Sequence, residues 1–150
     1  MKTIKQELYH HCQQFVQDRL NRIEDRIVNI RESLSSETKS TAGDKHETGR
    51  AMLQLEREKA GAQLAEVQKL QAILTKIDIS TPSIVARLGS LVTTSQETYF
   101  LSISVGKINC NTHTYFGIAT NTPIGKLLLG KKQGDSFNFN NTKITIETIE

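Results

Sequence analysis

Apolar side chains recur with helical spacing through the first half of the chain. In residues 3–34 they fall at alternating steps of four and three, at Val16, Leu20, Ile23, Ile27, Ile30 and Leu34. The same steps return in residues 47–77, at Val67, Leu70, Leu74 and Ile77. This is the spacing of a coiled-coil seam. It predicts two long helices that pair along their apolar stripes.

The two predicted helices are separated by a polar stretch, STAGDKHETG, at residues 40–49. The stretch has two glycines and no large apolar side chain, so it predicts a solvated connection. A short polar connection favours antiparallel neighbours. We therefore expect an antiparallel coiled-coil hairpin over residues 1–77, with its tip at about 35–50.

The chain changes character near residue 78, where both prolines, most glycines and many β-branched residues begin. Residues 84–92 and 98–103 flank a polar turn and predict a β-hairpin. Residues 142–149 alternate strictly, and Phe137 and Phe139 alternate just before them. Thr122, Pro123 and Gly130 carry the start and stop signals of a two-turn helix. The fold class is α+β, with residues 78–150 forming a small antiparallel sheet and one short helix.

Composition narrows the functional classes. The formal charge of +3 and the pI of about 8.9 are too mild to indicate nucleic-acid binding by themselves. Cys12 and Cys110 lie far apart without metal-binding spacing, which predicts two reduced thiols. No segment approaches the roughly 20 apolar residues of a membrane helix. We expect a cytoplasmic protein that has no contact with a membrane.

The acidic pair of the connection, Asp44 and Glu47, allows two interpretations. An Asp at the N-cap with a Glu three positions later has the spacing of a capping box at the start of the second helix. Two exposed carboxylates could instead bind Mg²⁺, which commonly takes one or two carboxylates and completes its shell with water and phosphate oxygens. A partner would then have to supply the remaining ligands.

Basic side chains surround this pair and recur in the second domain. Lys39, Lys45 and Arg50 could contact a phosphate backbone or simply keep the tip solvated. His46 lies between the two acids. Lys126, Lys131 and Lys132 lie on or just after the short helix, near its C-terminus, where cations are favourable. The chain has no GxSxG, Walker or HExxH motif, so a self-contained enzyme is not indicated.

Two stretches resemble one family. TPIGKLLLGKKQGD, at residues 122–135, is similar to the C-terminal signature of the Gre transcript-cleavage factors, which reads roughly SPIGRALLGKxxGD. GDKHE, at residues 43–47, has the D-x-x-E spacing of the tip motif of that family. The order of a helical hairpin followed by a small α+β domain also agrees.

The resemblance implies an FKBP-like second domain that docks on bacterial RNA polymerase, with Lys126, Lys131 and Lys132 as docking candidates. It also implies that the hairpin enters the secondary channel. There, Asp44 and Glu47 would help to hold the second Mg²⁺ and activate water, so that the polymerase's own active site cuts backtracked nascent RNA. The nascent RNA 3′ end within the elongation complex would then be a partner, and Lys39, Lys45 and Arg50 are the candidates for contact with its phosphates. The protein would not itself be an enzyme, and we expect a monomer.

The sequence is also compatible with other functions. The family tip reads close to DLSEN, whereas Lys45, His46 and Thr48 depart from it here. A regulator that occupies the channel without stimulating cleavage is therefore an alternative. Alternatives of another class are an FKBP-like prolyl isomerase or chaperone, which needs an aromatic-lined pocket, and a coiled-coil adaptor that pairs between chains.

Overall fold

The computed structural model describes the backbone of residues 2–39 and 43–150, and the side chains of residues 2–36 and 48–150. Within these ranges, long helices come first and a sheet with one short helix follows. The helices are α1 (Ile4–Lys39), α2 (Gly43–Lys76) and α3 (Pro123–Leu128). The strands are β1 (Leu91–Thr94), β2 (Thr98–Ser102), β3 (Gly106–Cys110), β4 (His113–Ala119), β5 (Ser136–Phe139) and β6 (Thr142–Ile149).

The backbone packs as two compact units. One unit consists of Met1–Phe15 together with Ala72–Glu150, and the other of Val16–Gln71. The predicted boundary at residue 77 follows a change in composition, whereas these units are defined by packing. The first turns of α1 and the last turn of α2 therefore group with the sheet.

The unit Val16–Gln71 has the predicted apolar seam. Val16, Ile23 and Ile30 are buried on α1, and Ala60 and Val67 are buried on α2. The Arg26 guanidinium donates a hydrogen bond of 3.1 Å to the side-chain oxygen of Gln63. The buried positions are seven residues apart on each helix, which is one of the two seam positions of each heptad, and the predicted positions between them on α1, Leu20, Ile27 and Leu34, are half-buried.

The start of α1 is closed by a reciprocal cap. The Gln6 amide donates to Thr3 Oγ1 at 3.2 Å, and the Thr3 amide donates to the Gln6 side-chain oxygen at 2.9 Å. This capping box satisfies two amide groups that a helix start leaves without partners. It fixes where the long first helix begins.

The sheet has six strands in the order β3-β4-β2-β1-β6-β5. β2 and β4 run parallel, and the other neighbours are antiparallel, so the prediction of a purely antiparallel sheet is wrong. The cause is the β3–β4 hairpin, which returns the chain beside β2 in the same direction. Its turn residues Asn111 and Thr112 both have positive φ, 50° and 66°. The sequence Asn-Thr gives no signal for this turn, because it lacks the glycine that usually marks such a turn.

The first strand is shorter than predicted. Residues 84–90 are not part of it, apart from an isolated bridge between Val85 and Lys132. Gly89 interrupts the extended backbone with a φ of +95°, and a Cβ there would lie 3.0 Å from the Asp78 carbonyl oxygen. The segment 84–92, predicted to be one strand of a hairpin, is therefore a loop followed by a short strand.

The last hairpin and the short helix agree with their predictions. β5 pairs antiparallel with β6 across Asn140 and Asn141, both at positive φ. One face of the sheet packs with α3 in a core that contains Ala86, Val92, Leu101, Leu128 and Ile146.

The start of α1 contacts the other face of the sheet. Cys12 Sγ lies 3.5 Å from Ser102 Oγ, and Cys110 Sγ donates to Glu7 Oε2 at 2.6 Å. Both cysteines are free thiols, as predicted. Burial raises the pKa of Cys12, and the hydrogen bond to Glu7 raises the pKa of Cys110. Neither thiol therefore has the lowered pKa of a reactive cysteine.

The turn after α2 predicts a pH-dependent contribution to stability. The Asp78 carboxylate accepts hydrogen bonds from the amides of Thr81 and Ser80 and from the Ser80 hydroxyl. Hydrogen bonds from Thr81 and Ser80 hold the pKa of Asp78 well below its ordinary value. A lowered folded-state pKa stabilises above the unfolded pKa of about 3.9, and this contribution is lost as the pH falls below that value. We expect Asp78→Asn to lower the urea midpoint at pH 7 and to lower it less at pH 3.

A matched control is Glu147→Gln, because Glu147 is exposed and forms no side-chain hydrogen bond with any described residue. It should leave both midpoints close to those of the parent. An equal loss for Asp78→Asn at pH 7 and pH 3 would contradict the assigned role of the carboxylate charge.

Candidate functional site

Residues 122–135, here called the signature segment, begin with a capped helix. Thr122 has extended backbone angles, and its Oγ1 accepts a hydrogen bond from the Gly125 amide at 3.1 Å. Pro123 occupies the first helical turn, where its missing N–H has no cost. Gly130 follows the helix with a φ of +81°. The start and stop signals predicted from the sequence are therefore confirmed.

Gly125 is required by its surroundings. A Cβ at this position would collide with the Ala119 carbonyl oxygen and would lie 2.8 Å from Thr122 Oγ1 and 3.0 Å from the Thr120 Cα. Three residues later, Leu128 is fully buried in the core. The apolar and glycine positions of the segment therefore place α3 against the sheet.

The second half of the segment forms a closed turn. The Lys132 amide donates to Asp135 Oδ2 at 2.8 Å, and the Asp135 amide donates to the Lys132 carbonyl at 3.0 Å. Gly134 has a φ of +90° in this turn. The Ile146 amide donates to the Asp135 carbonyl at 2.8 Å, which attaches the turn to β6. The Gly-Asp end of the segment thus has a structural role.

The lysines of the segment are differently exposed. Lys126 and Lys132 are exposed, whereas Lys131 is half-buried with its Nζ 5.9 Å from the centre of the Phe137 ring. Within the part of the chain that the structure describes, none of the three forms an ion pair. Lys126 and Lys132 are therefore the two free to meet an anionic partner surface.

The acidic pair falls where side chains are not described. α2 begins at Gly43, so Asp44 stands in its first turn rather than at the predicted N-cap position. Asp44 and Glu47 both belong to α2, three positions apart. The side chains of Lys39, Asp44, Lys45, His46 and Glu47 lie outside the described residues, and their predicted roles stay predictions. Arg50 is described and is exposed.

Other candidate chemistry is sparse in the described parts of the chain. They contain no group of three or more His, Cys, Asp or Glu side chains that could hold a metal ion. None of the helices in those parts is long and apolar enough to cross a membrane.

The rings that an isomerase pocket would need are largely used in packing. Phe100 is fully buried, and Tyr99 contacts Phe116 with ring centres 6.3 Å apart. The Phe137 ring lies beneath Lys131.

One feature of the first unit gave no signal in the sequence. A cavity of about 530 Å³ lies between the start of α1 and the sheet. Its polar lining includes Lys5, Thr98, Tyr115 and Glu150. These residues come from different elements and share no spacing, so only the folded chain brings them together.

Comparisons with known proteins do not assign this chain to a family. No protein-family model matches the chain, and no curated protein sequence matches it. Among solved structures, the chain is similar to that of the transcription factor Gfh1, with 18% identity and a TM-score of 0.31. The similarity covers 94% of this chain and 92% of that chain. A TM-score of this size establishes no shared fold.

Proposed function

We propose that the protein is a transcription elongation factor that binds bacterial RNA polymerase and stimulates cleavage of backtracked nascent RNA. The hairpin tip enters the secondary channel, and the domain after residue 77, which we take to be FKBP-like, docks outside it. The protein acts in the cytoplasm as a monomer. It is not an enzyme by itself, because the polymerase active site performs the cleavage.

The observation that carries this proposal is the signature segment. Its resemblance to the Gre signature extends over residues 122–135, and several positions that the two share have clear physical roles here. Thr122 caps α3, Gly125 allows its close approach to the sheet, and Asp135 closes the final turn. This arrangement leaves Lys126 and Lys132 exposed on the same segment.

The proposed Mg²⁺ site rests on the chemistry of its donors. Asp44 and Glu47 offer carboxylate oxygens, the ligand type that Mg²⁺ prefers, and two carboxylates need further ligands from a partner. When bound, such an ion supplies charge stabilisation and an activated water for phosphodiester hydrolysis. The contribution of this chain is to carry the two acids on α2 to the active site of the polymerase.

The alternative is a regulator that occupies the channel without stimulating cleavage. Lys45 and His46 between the acids favour it, because positive charge beside a cation site weakens the site. Both forms of the proposal require polymerase binding. They differ only in whether backtracked RNA is shortened.

Binding is tested with core RNA polymerase from the organism that encodes the chain. We expect a saturable complex whose affinity falls as salt rises, since Lys126 and Lys132 are exposed cations. The double variant Lys126→Ala, Lys132→Ala should bind about five-fold more weakly, as expected for the loss of two exposed charge pairs. Surface plasmon resonance at two salt concentrations measures the dissociation constant of the parent and of the variant, and the salt dependence of each.

The matched control is Lys143→Ala, which removes an exposed lysine from β6. It should bind like the parent. Absence of any complex between the parent and the polymerase would overturn the proposed function in both forms. Equal binding by the double variant would reject only the docking role of the two lysines.

A further inference from the structure

The cavity between the start of α1 and the sheet has the dimensions of a small-molecule site. Its volume of about 530 Å³ lies within the range of roughly 300–1,000 Å³ typical of such sites. Its wall combines threonine hydroxyls with one lysine, one histidine, one tyrosine and one glutamate, beside the apolar side chains of Ile4, Ile79 and Leu91. All of these residues belong to the unit that contains the sheet.

The register of the sheet explains why the polar groups share one face. Thr93 pairs directly with Thr98, and Tyr99 pairs with Phe116 in the parallel ladder, which sets Thr98 beside Tyr115. Glu150 joins them because it exchanges two backbone hydrogen bonds of 2.9 Å with Leu91, two positions before Thr93. Alternate residues of a strand point to the same face.

Tyr115 lines this cavity. The residue is only 9% exposed, yet its hydroxyl has no hydrogen-bond partner among the described residues. In that part of the chain, every fully buried side-chain nitrogen or oxygen atom has a partner, so the hydroxyl must reach solvent. Burial raises the pKa of Tyr115, and Cys110, Glu150 and Glu7 raise it further. The hydroxyl is therefore a hydrogen-bond donor at neutral pH.

Lys5 is the cation of the cavity. Its side chain is half-buried and forms neither a hydrogen bond nor an ion pair with any described residue. Burial lowers the pKa of Lys5, whereas the charge of Glu150 raises it. The neighbouring amides of Ile4 and Lys5 also have no acceptor in the described chain, and a helix start favours negative charge. The Lys5 end of the cavity is suited to an anion.

Glu150 provides the opposite charge. It lines the same cavity and acts on both Lys5 and Tyr115, but its carboxylate lies beyond ion-pair distance from the Lys5 ammonium. A simple anion would meet repulsion from Glu150, and a simple cation would meet repulsion from Lys5. A ligand that carries both charges complements the two groups at once.

We propose that this cavity binds a small zwitterion with the chemistry of a free amino acid. Its carboxylate contacts the Lys5 ammonium and the Tyr115 hydroxyl, and its ammonium contacts the Glu150 carboxylate. The threonine hydroxyls supply hydrogen bonds between the two ends. This site is independent of polymerase binding, since it involves neither the signature segment nor the acidic pair.

The experiment titrates the full chain with five probes, followed by calorimetry and by ¹H–¹⁵N NMR. Three probes are zwitterions of increasing length, namely glycine, 3-aminopropanoate and 4-aminobutanoate. Acetate and ethylammonium carry one charge each. We expect at least one zwitterion to shift the amide signals of Lys5, Thr98, Tyr115 and Glu150 saturably, with a dissociation constant about ten-fold below those of acetate and ethylammonium.

Two variants locate the binding groups. Tyr115→Phe keeps the ring and removes the hydroxyl, and Glu150→Gln removes the charge at the other end. Each should weaken zwitterion binding about ten-fold, because each removes a hydrogen bond to a charged group. Tyr99→Phe is the matched control, since Tyr99 packs with the core on the opposite face of the sheet. The dispersion of the NMR spectrum shows that each variant is folded.

Several outcomes would overturn the proposal. One is the absence of saturable shifts with every zwitterion. Another is binding of acetate as tight as that of the best zwitterion, which would indicate a simple anion site. A third is parent-like zwitterion binding by both Tyr115→Phe and Glu150→Gln.

Discussion

Replacing Asp44 or Glu47 by alanine is expected to abolish the stimulation of RNA cleavage while polymerase binding is retained. If the two carboxylates complete a Mg²⁺ site in the polymerase, loss of either leaves the ion with too few charged ligands. We expect a loss of at least roughly 100-fold in cleavage rate, because removal of a group that only orients a metal ligand already costs about 10–100-fold. The measurement is the rate at which nascent RNA is shortened in a stalled, backtracked elongation complex.

The control for this experiment is Gln54→Ala. Gln54 is an exposed residue of α2 outside the acidic pair, and its replacement should leave the cleavage rate unchanged. Cleavage by Asp44→Ala and Glu47→Ala at the parent rate would show that the pair has no metal role. If the parent binds polymerase but never shortens the RNA, the alternative of a channel-occupying regulator is supported instead.

Replacing Gly125 by alanine is expected to lower the free energy of unfolding by about 3 kcal/mol, the upper part of the usual range for overpacking. The added Cβ would collide with the Ala119 carbonyl oxygen and crowd Thr122 Oγ1, which caps the same helix. The Ala119 atom belongs to the backbone and cannot rotate away. Urea unfolding followed by circular dichroism gives the value from the shift in midpoint.

A matched glycine is available in α2. A Cβ at Gly61 would meet no atom within 4 Å, so Gly61→Ala should be neutral or stabilising by up to about 1 kcal/mol. The two variants make the same chemical change and differ only in the space around it. An unchanged midpoint for Gly125→Ala would show that the α3 region tolerates the shift that the extra carbon requires.

Gly125→Ala also connects stability with function. Displacement of α3 would move Lys126 on the helix and disturb the turn that holds Lys132. Polymerase binding by a folded Gly125→Ala protein should therefore weaken along with that of the double lysine variant. Parent-like polymerase binding by Gly125→Ala would show that the docking surface does not depend on the signature segment.

The candidate site was only partly predictable from the sequence. The cap of α3 is a hydrogen bond from the Gly125 amide to Thr122, only three positions away. Thr122 and Pro123 were therefore sufficient to predict it. The cavity depends on Lys5, Tyr115 and Glu150, which are brought together by strand pairing and by the contacts between α1 and the sheet. Residues so far apart in the chain share no spacing from which the cavity could be predicted.

The sequence pattern by itself was sufficient for elements that depend on local features, namely helical periodicity, helix caps and tight turns between strands. The seam at Val16, Ile23 and Ile30, the helix after Thr122, and the hairpin across Asn140 and Asn141 all follow from the sequence by itself. The tertiary structure decided the parallel pairing of β2 with β4 and the grouping of the start of α1 with the sheet. These features depend on contacts between residues far apart in the chain, where burial and backbone hydrogen bonding outweigh local preference.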